Sequence, residues 1–178
     1  MNTLKLIITV TIICYFSLAF GGENMINGKK IIGLYEYIKL IPDKTEIPAK
    51  VDTGADISSI HGEDVEVFEK DGKKYVRFSF MWDKNDLEKK MKLERPFVKY
   101  VKIKRKGGLR PEKRPVVNLE FCLDGIKYNS EFSIADRDNF SYPALLGRRF
   151  LRKYFIIDPD KDYITNASAC DKYLKNEN

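Results

Sequence analysis

The chain has 178 residues, 33% of them charged, and a formal net charge of +6 at pH 7. This length fits a single domain with a buried core. One histidine and three cysteines are too few for a catalytic zinc site, and no phosphate-binding G-x-x-x-x-G-K-[ST] loop occurs. Basic and aromatic residues are not gathered into a nucleic-acid module. We therefore predict no metal, no cofactor and no nucleic-acid partner, while the positive charge is compatible with acidic substrates or surfaces.

The N-terminal segment has the features of an export signal. Lys5 precedes the uncharged run Leu6–Phe20, and small residues stand at Ala19 and Gly21. This pattern predicts a signal peptide over 1–21 and a periplasmic or secreted protein. A retained membrane anchor is the lesser alternative, because a membrane span usually needs about 20 apolar residues.

The rest of the chain divides into a polar lead-in over 22–29, one domain over 30–165 and a polar tail over 166–178. Cys122 and Cys170 are the cysteines that remain after signal removal. They could pair in an oxidising compartment, although two isolated cysteines are more often a buried thiol and a tail thiol. Both alternatives stay open at this point, and separate thiols are the commoner outcome.

Short runs of branched and aromatic residues, separated by turn residues, predict strands along the whole domain. The predicted strands are Ile31–Ile41, Ile47–Val51, Ile57–Ile60, the two halves of Val65–Trp82 around Asp71-Gly72, Phe97–Arg105, Arg114–Cys122, Tyr128–Ala135, Ala144–Leu146, and a final hairpin of Phe155–Asp158 with Asp162–Thr165. Lys84–Arg95 is predicted to be a solvated loop, and Gly147–Tyr154 a helix. About ten short strands and one helix fit an all-β protein with a small closed sheet.

The segment Ala49–Ile60 carries the candidate chemistry. Asp52 is the group that can titrate or polarise water, and Thr53 offers a hydroxyl to a neighbouring loop. Gly54 allows close approach of another chain or a ligand, because a Cβ would clash there. Ala55 keeps the floor of the site apolar.

Two motifs of the chain, and the order in which they occur, resemble those of retroviral-type aspartic proteases, the retropepsins. Val51–Asp56 matches hydrophobic-Asp-Thr-Gly-Ala-Asp, and Ala144–Leu151 resembles the hydrophobic-hydrophobic-Gly-Arg segment that leads into the single helix of that fold. Further matches resemble a bacterial retropepsin-like family labelled ATP-dependent zinc protease, whose members occur alongside ATP-grasp glutamate ligases. They are Arg114-Pro115-Val116-Val117, Asp136-Arg137, Tyr142-Pro143 and Phe155-Ile156-Ile157-Asp158. The resemblance implies a small closed β-barrel of the acid-protease type with one short helix after the Gly-Arg motif.

The resemblance also implies a mechanism. Aspartic proteases need two carboxylates that share a proton, one acting as base on water and the other as acid. The chain has a single Asp-Thr-Gly, so a homodimer must bring Asp52 of two copies together. The expected function is an exported aspartic endopeptidase that hydrolyses peptide or protein, with Asp52, Thr53 and Gly54 as its catalytic residues. The alternative is a catalytically weak peptide- or partner-binding protein linked to an ATP-grasp ligase pathway.

Other residues receive roles from the resemblance or from their local sequence. Asp56 is expected to pair with Arg148, or with Arg149 instead, as a partly buried brace beside the site. Gly107 and Gly108 form the tip of a long hairpin that is either a flap over bound peptide or an ordinary exposed turn. His61 is interpreted as a surface histidine at a strand end. Arg114, Asp136 and Arg137 match the family pattern without a role that the sequence can derive.

Overall fold

The computed structural model describes residues 25–41, 43–82, 89–104, 107 and 110–173. The strands are β1 (Met25–Ile26), β2 (Lys29–Ile32), β3 (Tyr35–Leu40), β4 (Thr45–Asp52), β5 (Ser58–His61), β6 (Glu63–Lys70), β7 (Lys73–Met81), β8 (Lys90–Ile103), β9 (Glu112–Leu123), β10 (Ile126–Ala135), β11 (Ala144–Gly147) and β12 (Phe155–Ile157). The helix α1 spans Arg148–Tyr154, and a 3-10 helix spans Ala167–Tyr173. The prediction of a mostly β protein with one short α-helix after the Gly-Arg motif is confirmed for these ranges. The predicted signal peptide lies outside them, and no helix within them is long and apolar enough to cross a bilayer.

Nine strands form one sheet in the order β10-β5-β11-β4-β3-β9-β8-β7-β6, and β10 also pairs with β9. A smaller sheet has the order β1-β2-β12. Strand β6 is the last of the large sheet, and its pairing with β7 shifts register between Glu63 and Glu66. Fully buried aromatic and branched side chains fill the core, with Phe78, Phe80, Phe121 and Phe132 the largest among them. The core therefore fixes the positions of the strands that carry the candidate site.

Three hairpins turn at an Asn-Gly or Asp-Gly pair. The pairs are Asn27–Gly28, Asp71–Gly72 and Asp124–Gly125, and every one of these residues has a positive φ. Two successive positive φ values characterise the type I′ turn, whose twist matches that of antiparallel strands. The predicted hairpin at Asp71–Gly72 is confirmed, and part of the expected lead-in is instead the β1–β2 hairpin.

The prediction of a single strand over Ile31–Ile41 is wrong. The extended segment is interrupted at Gly33, between the end of β2 and the start of β3. A Cβ on Gly33 would lie 2.4 Å from the Lys161 carbonyl oxygen, so this backbone must come close to the 161–165 segment. The predicted strand Asp162–Thr165 is also wrong. That segment is held by the buried Glu36 carboxylate, which accepts hydrogen bonds from the backbone N–H groups of Gly33, Ile164 and Thr165 and from the Thr165 hydroxyl. Strand β12 pairs in parallel with β2 instead of forming a final hairpin.

The predicted loop Lys84–Arg95 is wrong in its second half, because β8 already begins at Lys90. Leu93 is buried and Met91 packs against the core, so apolar side chains that face inward outweigh the charged composition. Residues 83–88 lie outside the described ranges.

The C-terminal segment is attached to the sheet by a disulfide. Cys122 of β9 and Cys170 of the 3-10 helix are bonded and buried, with Cα atoms 5.7 Å apart. The commoner alternative of separate thiols is therefore wrong. The Cys170 sulfur also accepts a hydrogen bond from the Gly125 N–H. The tail returns to the sheet because Lys39 of β3, nearly buried, pairs with Asp171.

We expect reduction of this disulfide to lower the free energy of unfolding by about 2–4 kcal/mol, because the bond closes a long loop in the unfolded chain. Urea denaturation with and without a thiol reductant measures the difference. A double variant, Cys122→Ala with Cys170→Ala, is the control and should show the same midpoint in both conditions. Equal midpoints for the oxidised and reduced wild type would contradict the prediction.

Candidate active site

Asp52 is the last residue of β4, and its own loop orients its carboxylate. The Asp52 Oδ1 atom accepts hydrogen bonds from the N–H groups of Gly54, at 3.0 Å, and Ala55, at 3.2 Å. The Lys50 ammonium lies 3.9 Å from Oδ2, and the Asp52 side chain is 27% exposed. The carboxylate is thus held rigidly yet remains accessible, as a group that acts on water must be.

Gly147 packs against the loop of residues 52–57, called the Asp52 loop below. In the parallel pairing of β11 with β4, Gly147 is the partner of Asp52. Its N–H donates to the buried Ser58 hydroxyl at 3.0 Å. A Cβ on Gly147 would lie 2.4 Å from the carbonyl carbon of Ile57, so the backbones can approach only because this residue is glycine. Steric exclusion of a side chain therefore explains why the second motif has a glycine at position 147.

Arg148 connects the start of α1 with the Asp52 loop. Its backbone N–H donates to the Ala55 carbonyl at 2.8 Å, and its guanidinium donates to the Thr53 carbonyl at 3.0 Å. The Arg148 guanidinium also lies 3.4 Å from Asp56, while that of Arg149 lies closer, at 2.7 Å. Both of the alternative pairs are therefore present. The Arg149 hydrogen bond, followed by the charges of Arg149 and Arg148, lowers the pKa of the Asp56 carboxyl.

The expectation that this brace is partly buried is wrong. The side chains of Asp56, Arg148 and Arg149 are 52%, 53% and 56% exposed. Exposed ion pairs contribute little to stability, because water screens them. The brace consequently orients the loop more than it stabilises the domain.

We expect Arg148→Ala to lower peptidase activity by about tenfold or more, because the loop that carries Asp52 loses the contact at the Thr53 carbonyl. The melting temperature should change little, since the lost contacts are exposed. Arg152→Ala is the matched control, because Arg152 is an exposed arginine of the same helix. This variant should retain activity. A variant at Arg148 with wild-type activity would show that the contact at Thr53 is dispensable.

A cleft of about 630 Å³ lies between the Asp52 loop and the β8–β9 hairpin. The loop contributes residues 54–57, and the end of β8 together with the residue after it contributes residues 101–104. The hairpin thus stands beside the Asp52 loop, where a flap would have to be. Gly107, near its tip, has a φ of +74°, and Gly108 lies outside the described residues. The flap role of Gly107 and Gly108 stays a prediction.

Two arginines that the sequence could not assign line this cleft. Arg114 makes a two-point contact with Glu112, at 2.7 and 2.8 Å. Arg137 is only 5% exposed. Burial lowers the pKa of Arg137 to about 10, the charge of Arg114 acts in the same direction, and that of Asp52 opposes it. No local sequence pattern could have revealed that Arg114 and Arg137 lie close together, because β9 and the segment before β11 meet only in the folded chain.

His61 is buried, at 3% exposure, so its interpretation as a surface histidine is wrong. Its Nδ1 atom accepts the backbone N–H of Arg137 at 3.0 Å. In the neutral ring the proton therefore sits on Nε2, which lies 3.6 Å from carboxylate oxygens of both Glu63 and Asp138. The ring anchors the chain at Arg137.

A possible metal-binding group in the described part of the chain consists of His61, Asp136 and Asp138, whose ligand atoms lie within 4.8 Å of one another. A metal ion needs a free lone pair on the histidine. Nδ1 uses its lone pair on the Arg137 N–H, and Nε2 carries the proton, so the donor set does not fit a metal ion. The absence of a metal stays a prediction.

Comparison with known proteins agrees with this geometry. The family model described as RimB-like, retropepsin-like aspartic endopeptidase RimB, matches residues 31–168. Curated relatives include a protein named probable alpha-L-glutamate ligase from Desulfotalea psychrophila, 33% identical over 74% of this chain and 28% of the relative. A protein of the same name from Shewanella pealeana is 31% identical over 66% of this chain and 25% of the relative. The chain thus spans about a quarter of the length of these curated relatives.

A solved structure is also similar to this chain. It is a Legionella pneumophila protein of unknown function, 31% identical, with a TM-score of 0.64. The match covers 76% of this chain and 98% of that protein. The resemblance inferred from the two motifs is confirmed: the chain belongs to the RimB-like family of retropepsin-like aspartic endopeptidases.

Proposed function

We propose that the protein is a homodimeric aspartic endopeptidase. The observation that carries this proposal is Asp52, oriented by the N–H groups of its own loop and accessible beside a peptide-sized cleft. In the dimer, one Asp52 carboxylate takes a proton from water while the protonated carboxyl of its mate donates to the carbonyl oxygen of the scissile bond. The attacking oxygen is the deprotonated water, and no covalent intermediate with the protein forms.

The surface of the monomer supports a two-fold arrangement. Thr53 and Gly54 are exposed next to Asp52, and small residues let two loops approach closely. The pairing of β10 with both β5 and β9 supports the closed barrel that the resemblance implies. A monomer offers one Asp-Thr-Gly, so the second carboxylate has to come from another copy.

Export is part of the proposal. The pattern of residues 1–21 supports a cleaved signal peptide, and the Cys122–Cys170 disulfide supports an oxidising compartment, where such bonds persist. The substrate is then a peptide or protein of the periplasm or the exterior. Contact with a membrane is expected only if the signal segment is retained.

A second candidate is a peptide- or partner-binding protein with little catalysis. It is favoured by the relatives named probable alpha-L-glutamate ligase, because this chain matches only about a quarter of the length of each. The intact Asp52-Thr53-Gly54 favours the peptidase, because a binder has no need of a carboxylate forced beside its twin. Digestion of a peptide library by the purified mature protein distinguishes the two, since a binder leaves the library intact.

The dimer makes activity depend on protein concentration. Below the dissociation constant of the dimer, we expect peptidase activity to rise more steeply than linearly with protein. Analytical ultracentrifugation across the same dilution series should place the dimer-to-monomer transition in that range. Asp52→Asn is the control for assembly and should sediment as the wild type does. A monomer with full specific activity at every dilution cannot work by this chemistry.

A further inference from the structure

Four tyrosines form a row of neighbouring rings, called the tyrosine shelf below, in the order Tyr142, Tyr35, Tyr163 and Tyr37. Successive ring centroids along the row are 4.5, 6.2 and 4.7 Å apart. Tyr163 and Tyr37, at one end of the row, are 40% and 38% exposed. Rings that remain in contact with water in this way can still bury apolar surface against a further group.

The chain accepts backbone strain in order to place Tyr163 in this row. Its φ is +52°, a left-handed conformation that bulky side chains rarely adopt. The Tyr163 N–H donates to the Tyr35 carbonyl at 2.7 Å, and the N–H groups of Ile164 and Thr165 donate to the buried Glu36 carboxylate. Strained residues that their surroundings fix in this way are concentrated at binding and active sites. The strain at Tyr163 therefore points to a binding role for its ring.

The tyrosine shelf continues the floor of the cleft beside the Asp52 loop. Ser59 of β5 pairs with Leu145 of β11, and both line the cleft. Leu145 pairs with Lys50 of β4, which pairs in turn with Tyr35 of β3. Residues paired directly across neighbouring strands point to the same face of a sheet. One face therefore extends from the cleft floor to the shelf, and it passes Lys50, two residues before Asp52.

The chemistry of the shelf suits an uncharged aromatic group. Burial, and after it a hydrogen bond to the Tyr142 side chain, raise the pKa of Tyr163, so its phenol is neutral at pH 7. Aromatic rings attract one another through offset and edge-to-face contacts, which an aliphatic side chain cannot make. A ring that settles against Tyr163 and Tyr37 would extend the row already present.

We propose that the tyrosine shelf binds an aromatic side chain of the peptide substrate, about two to four residues from the bond that is hydrolysed. The position follows from a rise of roughly 3.3 Å per residue, both along β4 from Asp52 to the shelf and along an extended peptide. This inference rests on the proposed peptidase function and names a feature of its substrate. Tyr163 and Tyr37 are thus specificity-determining residues that act away from the reacting atoms. Because each chain has one shelf, a two-fold dimer offers one on each side of the bond.

The test compares kcat/KM for matched decapeptides that carry Phe, Leu or Ala at one position, scanned along both sides of the cleaved bond. We expect the wild type to prefer Phe over Leu by about two- to tenfold, and Phe over Ala by more, at two to four residues from the bond. Tyr163→Asn should lose the preference for Phe over Leu. Asparagine tolerates a left-handed backbone, so this variant removes the ring without adding strain. Tyr37→Leu shortens the row and should show an intermediate ratio.

Tyr154→Leu is the matched control. Tyr154 is 40% exposed, as Tyr163 is, but it belongs to α1 and lies outside the shelf. Its Phe-to-Leu ratio should equal that of the wild type. Tyr163→Phe keeps the ring without the hydroxyl and should also retain the preference.

Binding separates this inference from the proposed function. Calorimetry on Asp52→Asn protein, with and without Tyr163→Asn, measures the affinity for the same Phe and Leu peptides in the absence of hydrolysis. A preference for Phe that depends on Tyr163 supports the inference, even if the wild type cleaves nothing and the peptidase proposal fails.

Three results would overturn the inference. The first is a Phe-to-Leu ratio in Tyr163→Asn equal to that of the wild type. The second is a weaker dimer in Tyr163→Asn with unchanged peptide preference, which would mean that the shelf packs against the second copy. The third is affinity for chitotetraose, lost in Tyr163→Asn, without any preference among the peptides, which would make the shelf a site for a sugar chain.

Discussion

Asp52→Asn should abolish peptide hydrolysis, with a fall in kcat of at least about 10³-fold, because an amide can neither take a proton from water nor donate one as an acid. The fold should persist, since the asparagine side-chain oxygen can still accept the N–H groups of Gly54 and Ala55. Fluorogenic peptide cleavage measures the loss, and circular dichroism with a melting curve checks the fold.

Asp71→Asn is the matched control for this substitution. Asp71 lies in the β6–β7 turn before Gly72, and Asn-Gly suits the same type I′ turn as Asp-Gly. Its activity should therefore equal that of the wild type. Equal cleavage by Asp52→Asn, in a preparation free of other peptidases, would exclude aspartic catalysis by this chain.

Gly147→Ala should destabilise the domain by about 3 kcal/mol and disturb the site together with it. The added methyl would meet backbone atoms of Ile57 and Ser58 at 2.4 to 2.7 Å, and backbone cannot give way as a flexible side chain can. Because Gly147 pairs with Asp52, we expect the displacement to reach the Asp52 carboxylate. Urea denaturation and peptidase activity at a temperature below the melting point measure the two effects.

Gly72→Ala separates the steric effect from backbone strain. At Gly72 the φ is +70° and no atom lies within 4 Å of an added Cβ, so the variant meets only the strain of a left-handed residue, about 1–2 kcal/mol. It should lose stability without losing specific activity. If Gly147→Ala keeps both stability and activity, the close approach of β11 to the loop is not required.

The strand pattern and the site motif were predictable because they are local. Alternation of apolar side chains and an Asp-Gly pair determine the β6–β7 hairpin within some twenty residues of sequence, which is the range over which such patterns act. The Asp52 loop was found in the same way, since its residues are consecutive. Its contact with Arg148 was available from the resemblance alone, because the two segments are far apart in the sequence.

The errors concern partners that meet only after folding. The break at Gly33 depends on the Lys161 carbonyl, and the C-terminal segment packs because Cys170 finds Cys122. Arg137 was visible as part of a family pattern, yet its burial and its contact with the His61 ring arise only when distant segments meet in the fold. Sequence patterning reports which face of an element is apolar, and it does not report what covers that face.

The outer edge of β6 has a consequence for the behaviour of the protein at high concentration. The strand is last in its sheet, and its sequence E-D-V-E-V-F-E-K places charged side chains along nearly its whole length. Asp64, with a φ of +51°, lies where the register of the pairing with β7 shifts. Charges and bulges on an edge strand oppose the addition of a further strand from another molecule. The charges and the register shift of β6 therefore oppose the pairing of another molecule with this edge of the large sheet.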